Sequence, residues 1–125
     1  MSKKEIAKKY LKHLENGEIE EVINLFDSNG IVESPIYGIK KAEDFYRELA
    51  SDTSNSELLL KGIFEQSDSN EIALYFTYKW TLISNEVVQF DVVDIIEFDS
   101  NNKISKLIII YDTVLARKLV ENVNK

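Results

Sequence analysis

The second half of the chain holds four β-rich runs in close succession: Glu57 to Glu65, Glu71 to Ile83, Val87 to Phe98 and Ile104 to Asp112. The connectors are short and polar, namely Gln66-Ser67-Asp68-Ser69-Asn70, Ser84-Asn85-Glu86 and Asp99-Ser100-Asn101-Asn102-Lys103. Parallel neighbours need crossovers of a dozen residues or more, so these links imply hairpins and an antiparallel meander. Side chains in such strands alternate between two faces. Ile72, Leu74, Phe76, Tyr78, Trp80 and Leu82 share one face, opposite Ala73, Tyr75, Thr77, Lys79 and Thr81. In the next run Val88, Phe90, Val92, Asp94, Ile96 and Phe98 share a face, which sets a carboxyl group at the centre of a hydrophobic row. An ionised carboxylate there is costly, and the usual responses are a hydrogen-bonding partner or a raised pKa that keeps the group neutral. Asp94 is the anomaly of the sequence.

The last run is apolar on both sides, with Leu107, Ile109 and Tyr111 facing one way and Ile108 and Ile110 the other. Helices in a chain of 125 residues can cover only one face of a curved sheet. The outer face is therefore a candidate subunit interface, and a homodimer through the sheet is expected.

Ahead of the meander the spacing is helical. From Lys3 to Asn16, Ile6, Ala7, Tyr10, Leu11 and Leu14 form an apolar stripe between solvated lysines, closed by Asn16-Gly17. A short second helix carries Ile19, Val22, Ile23 and Phe26 and ends at the turn Asp27-Ser28-Asn29-Gly30, whose glycine is expected to take a positive φ. Ile31 to Pro35 reads as a short strand stopped by the only proline. Tyr37-Gly38 leads into a third helix with Ala42, Phe45, Tyr46 and Leu49 on its stripe, and Ser51 to Ser56 reads as a loop. A final helix over Thr113 to Asn122 puts Leu115, Leu119, Val120 and Val123 on one side.

Composition narrows the chemistry. Fifteen Lys and Arg against 22 Asp and Glu leave a net charge of −7, which disfavours nucleic acid as a partner. With no Cys and one His, thiolate nucleophiles, disulfides and Cys- or multi-His metal sites are excluded, and no cofactor is expected. No stretch approaches the ~18 apolar residues of a membrane span, and the start lacks a signal-peptide core. The expectation is one cytoplasmic domain over residues 1–125 with no membrane partner.

Several local patterns then fall in a telling order: Tyr10-Leu11 before Asn16-Gly17-Glu18; Val22-Ile23-Asn24-Leu25-Phe26; Val32-Glu33-Ser34-Pro35; Gly38 with Phe45-Tyr46; Val93-Asp94-Ile95-Ile96-Glu97-Phe98; and Tyr111-Asp112. Together they resemble the nuclear transport factor 2-like superfamily, and especially its SnoaL-like polyketide cyclase and ketosteroid isomerase branches. The resemblance implies an α+β, cone-shaped NTF2-like (cystatin-like) fold with N-terminal helices packed on a curved antiparallel sheet.

It also implies roles. Tyr10 and Asp94 match the tyrosine and the protonated aspartic acid that form the oxyanion hole of ketosteroid isomerases, where an apolar site keeps the acid neutral. Ser34 stands where that family has its general base, an Asp before the Pro. A hydroxyl without a neighbouring His does not easily remove a carbon-bound proton, so steroid isomerisation by the family mechanism is not expected. His13, about one turn beyond Tyr10, reaches a pocket rim at most. Tyr78 and Trp80 are core or pocket wall. Tyr111-Asp112 resembles the SnoaL-like ending, with the aspartate at the pocket; Asp112 equally suits a cap on the last helix.

The functional expectation is a SnoaL-like domain binding a small hydrophobic molecule with a polar end. Tyr10 and Asp94 would grip that end, with Ser34, Tyr78, Trp80, Tyr111 and Asp112 around the ligand. If it is an enzyme, its class would be isomerase, cyclase or hydratase on an enolisable ligand. The alternative is a non-catalytic module for dimerisation and protein interaction.

Overall fold

In the structure, a computed structural model that describes residues 1–124, the first helix α1 covers Lys3–Glu15. Ser2 caps it, its Oγ accepting the Glu5 amide at 3.2 Å, and this satisfies one of the free donors of the first turn. Gly17, at φ +71°, turns the chain out of the helix through the left-handed region. Ile6, Ala7, Tyr10, Leu11 and Leu14 are all buried, as their spacing predicts.

The next segment departs from the sequence reading. Helix α2 covers only Ile19–Asn24, and Phe26 opens the first strand, β1, Phe26–Ser34. The reason lies far along the chain: strand β6, Ile104–Ile110, pairs with Phe26, and the Ile104 amide donates to the Leu25 carbonyl at 3.0 Å. The expected turn at Asp27 to Gly30 is an irregularity inside β1, with the register shifting between Phe26 and Ile31. Gly30 does not take a positive φ. It is small because the backbones crowd there: a Cβ would lie 2.9 Å from the Ile104 carbonyl oxygen and 3.0 Å from that of Asp27.

A four-residue strand not foreseen from the sequence, β2 over Gly38–Lys41, folds back on β1. Helix α3 then runs Ala42–Asp52 and buries Ala42, Phe45, Tyr46 and Leu49. The expected loop from Ser51 to Ser56 is also corrected, because strand β3 begins at once, Thr53–Glu65. The meander continues through β4, Glu71–Leu82, and β5, Val87–Phe98, into β6. All six strands form one open, curved sheet in the order β2-β1-β6-β5-β4-β3, antiparallel throughout except for the β1–β6 pair. Helix α4, Val114–Val123, buries Ala116 and Val120; Leu115, expected on its apolar side, is 68% exposed.

The helices cover one face of the sheet. The row Val88, Val92, Asp94, Ile96 and Phe98 is buried there beside Leu74, Phe76, Tyr78 and Trp80. Phe64, Ala73, Ile95 and Ile108 line up across the opposite face, beside the row Tyr75, Val93 and Ile110. Phe64 is 60% exposed and Ile110 52%. Among the described residues no helix is long and apolar enough to cross a membrane.

Candidate functional site

A cavity of about 40 Å³ lies between the helices and the inner face of the sheet. Its roof comes from Tyr10 and Leu14 of α1 and Phe45 and Leu49 of α3, and its floor from the central strands β4 and β5. Asp94 sits in that floor, 1% exposed, between Leu74 of β4 and Ile109 of β6 in the ladder. Neither carboxyl oxygen has a hydrogen-bond partner among the described residues. Burial alone drives its pKa well above the usual carboxylate range, so the group is held as the neutral acid with a proton to donate.

Tyr10 opens on the same cavity, from a helix stripe that is otherwise aliphatic. Its hydroxyl lies 2.6 Å from that of Tyr46 on α3, and both rings are wholly buried and meet edge to face. Burial makes both phenols harder to ionise, and the nearby Asp94 adds to it; Tyr46 pushes Tyr10 further the same way, while the hydrogen bond with Tyr10 partly offsets the shift of Tyr46. When Tyr46 donates to Tyr10, the Tyr10 proton is free to point at an occupant. Tyr46 lies on the predicted α3 stripe, and its role was not read from the sequence; two tyrosines on facing apolar stripes were the available signal.

The remaining expected residues divide. Ser34, Tyr78, Trp80 and Tyr111 all line the cavity. Ser34, at the end of β1, accepts the Tyr37 amide on its Oγ at 3.3 Å. The Tyr78 hydroxyl pairs with Ser56 at 2.8 Å, and burial pushes its pKa up to about 12. Trp80 donates its indole N–H to Thr53 Oγ1 at 2.8 Å. Tyr111 stacks on Phe90, centroids 4.3 Å apart and planes 14° from parallel. Asp112 is exposed and is not among the lining residues; its Oδ1 accepts the Val114 amide at 3.1 Å, where α4 begins. His13 lies away from the cavity as well, its Nδ1 paired with Glu18 at 3.0 Å on the surface.

Two further residues were missed. Tyr37 lines the cavity and donates to Oδ2 of Asp52 at 2.6 Å; the same oxygen accepts Asn124 Nδ2 at 3.3 Å. Asp52 is buried at the end of α3, and no pattern in the sequence marked it. The lining as a whole contains no Lys, Arg or His. It offers donors that can stabilise a developing oxygen charge and no imidazole or amine that would act as a base. No three acidic or histidine side chains among the described residues group to hold a metal.

No protein-family model matches the chain, and no curated protein matches it. Solved structures do. An NTF2-like protein of unknown function from Burkholderia pseudomallei superposes with TM-score 0.81 at 15% identity, covering 96% of this chain and 98% of that one. SalBIII, described as an epoxide hydrolase/cyclase-like enzyme in pyran ring formation in polyether salinomycin, gives 0.77 at 14% identity over 88% and 90%. A hypothetical protein with a ketosteroid isomerase-like fold from Catenulispora acidiphila, in complex with trimethylamine, gives 0.77 at 11% over 90% and 91%. At these identities the likeness concerns architecture alone. The chain has the NTF2-like fold, which the ketosteroid isomerase-like proteins share and which is also described as cystatin-like.

Proposed function

We propose that the chain is a SnoaL-like, ketosteroid isomerase-related domain whose cavity binds a small hydrophobic molecule by one polar end. The observation that carries this reading is Asp94: a wholly buried acid without a partner, opening on the same cavity as Tyr10. A buried polar group left unpaired weakens a fold by about 1–3 kcal/mol, and a ligand oxygen that accepts its proton removes that penalty. Tyr10, backed by Tyr46, supplies the second donor to the same carbonyl or enolate oxygen. Structures of this fold accompany pyran ring formation in one case and trimethylamine in another, so the cavity residues, and not the architecture, must select the ligand.

If the domain is catalytic, the donor pair suits isomerase, cyclase or hydratase chemistry on an enolisable ligand. Ser34 cannot replace the missing base by itself, which keeps binding ahead of turnover in this reading. The test is a thermal-shift and calorimetric comparison of cyclic ketones on the native protein, Asp94→Leu and Asp94→Asn. Leu should abolish binding while the protein stays folded, and Asn, which keeps an N–H donor, should retain a weakened share. Unchanged binding in Asp94→Leu would sink the proposal.

The reading includes a homodimer through the outer face of the sheet. That face is apolar along two cross-strand rows, and three of its lysines pair with carboxylates: Lys61 with Asp91 at 3.2 Å, Lys79 with Glu57 at 3.5 Å and Lys106 with Glu33 at 3.2 Å.

A further inference from the structure

The geometry points to a second class of occupant for the same cavity: a small organic cation of the tertiary or quaternary ammonium type, with Asp94 as its counter-ion. The inference rests on the reading above that this cavity is the binding site, and goes beyond it in the charge of what enters.

Eight of the fourteen lining side chains are aromatic, and four of them form a connected wall. Trp80 lies 6.2 Å from Tyr78, Tyr78 5.7 Å from Phe90, and Phe90 4.3 Å from Tyr111, centroid to centroid. Aromatic faces carry negative potential and attract cations, most strongly where water is excluded. The single carboxyl in the lining is unpartnered, and none of the lining residues carries positive charge. The cavity therefore supplies every element of an ammonium site except the cation.

Competing ligand classes fit worse. An anion would meet the aromatic faces and the carboxyl with no basic residue to receive it. A hard metal cation demands several oxygen ligands, and no acidic or histidine cluster is present among the described residues. An alkylated ammonium is weakly hydrated, so it loses little on leaving water.

Charge balance dictates a pH signature. The groups facing Asp94 are the phenols Tyr10 from α1, Tyr46 from α3 and Tyr78 from β4, all buried and shifted away from ionisation. A cation entering beside the neutral acid releases the Asp94 proton to solvent, one proton for each cation bound. Affinity for the cation then rises up to tenfold per pH unit while the empty site is protonated. A neutral ketone, which needs that proton, shows no such rise.

The experiment is isothermal titration of the full chain with choline and with its uncharged analogue 3,3-dimethylbutan-1-ol, at pH 6 and pH 8 and constant ionic strength. Native protein, Asp94→Asn and Phe90→Leu are compared, with melting temperatures confirming that each is folded. Choline should bind at least tenfold more tightly than the alcohol at pH 8, lose most of that advantage at pH 6, and release about one proton, read from buffers of different ionisation enthalpy. Asp94→Asn should erase the preference, and Phe90→Leu should weaken choline several-fold with little change for the alcohol. Equal affinities for choline and the alcohol, or an advantage that survives Asp94→Asn, would overturn the inference. A parallel titration with cyclohexanone separates the two readings. Ketone binding without choline binding removes the cation site alone; if neither binds, the cavity reading falls and takes this one with it.

Discussion

Asp94 gives the residue scale its sharpest consequence. Its folded pKa lies above the value of a free carboxyl, so the native state holds a proton that the unfolded chain has released. Its contribution is intact below the unfolded value near pH 4 and is progressively lost as pH rises towards the folded pKa. Asp94 alone therefore makes melting temperature fall with rising pH above about 4, against the opposite trend from Glu18, Asp91 and Asp99, and Asp94→Asn should remove its share of the slope, read as the difference between pH series of thermal melts of the native protein and the variant. Asp94→Leu should stabilise the protein by roughly 1–3 kcal/mol in urea denaturation, because a buried unpaired acid is exchanged for a side chain its surroundings prefer. The Tyr10–Tyr46 pair makes the opposite case. Tyr46→Phe should cost about 1 kcal/mol, and a double-mutant cycle with Tyr10→Phe should return a coupling of that order. Asp94 was visible from alternation alone, since a charge at an even position in an apolar row breaks a pattern. Tyr46 was not visible as a partner, because a tyrosine on an apolar stripe keeps the pattern and its hydroxyl bond depends on how two helices meet.

At the scale of elements, polar composition misled in one instructive place. Thr53 and Ser56 made the stretch before β3 look like a loop, yet both belong to the strand and serve aromatic neighbours. Thr53 donates to the Leu49 carbonyl at 2.6 Å and accepts the Trp80 indole; Ser56 pairs with Tyr78. They are polar because the polar ends of buried aromatics need partners. Thr53→Val should cost about 1–3 kcal/mol by stranding the indole N–H, and the loss should appear in both urea midpoint and tryptophan fluorescence. β2 escaped notice for another reason: four largely exposed residues carry no alternation to read. Gly30 belongs here too. Since a Cβ would press on two carbonyl oxygens, Gly30→Ala should destabilise by about 1–3 kcal/mol, with a lowered urea midpoint and an unchanged slope.

At the scale of the whole molecule, the four long strands and the apolar outer face were legible because both follow from period-two patterning, and the order of elements pointed to the architecture the structure displays. The cavity's size was not legible, since it depends on how aromatic side chains pack and not on which face they occupy. The proposed dimer is the prediction that belongs here. Sedimentation and light scattering at micromolar concentration should give twice the mass of the chain, and Phe64→Lys with Ile110→Lys should return monomer with the inner cavity intact. A native protein that stays monomeric would remove the dimer and leave the ligand readings standing.

The pairing of β1 with β6 also sets a timetable for the chain as it is made. β1 emerges from the ribosome long before Ile104–Ile110 exists, and at roughly 5–20 residues per second the wait lasts several seconds. Throughout it, β1 has only the four-residue β2 to pair with, while β3, β4 and β5 join their sequence neighbours as they emerge. Strand β1 is therefore the element left longest without its main partner. Its docking on β6 is the late step, and the part of the cavity wall that Ser34, Ile109 and Tyr111 supply is completed with the last strand.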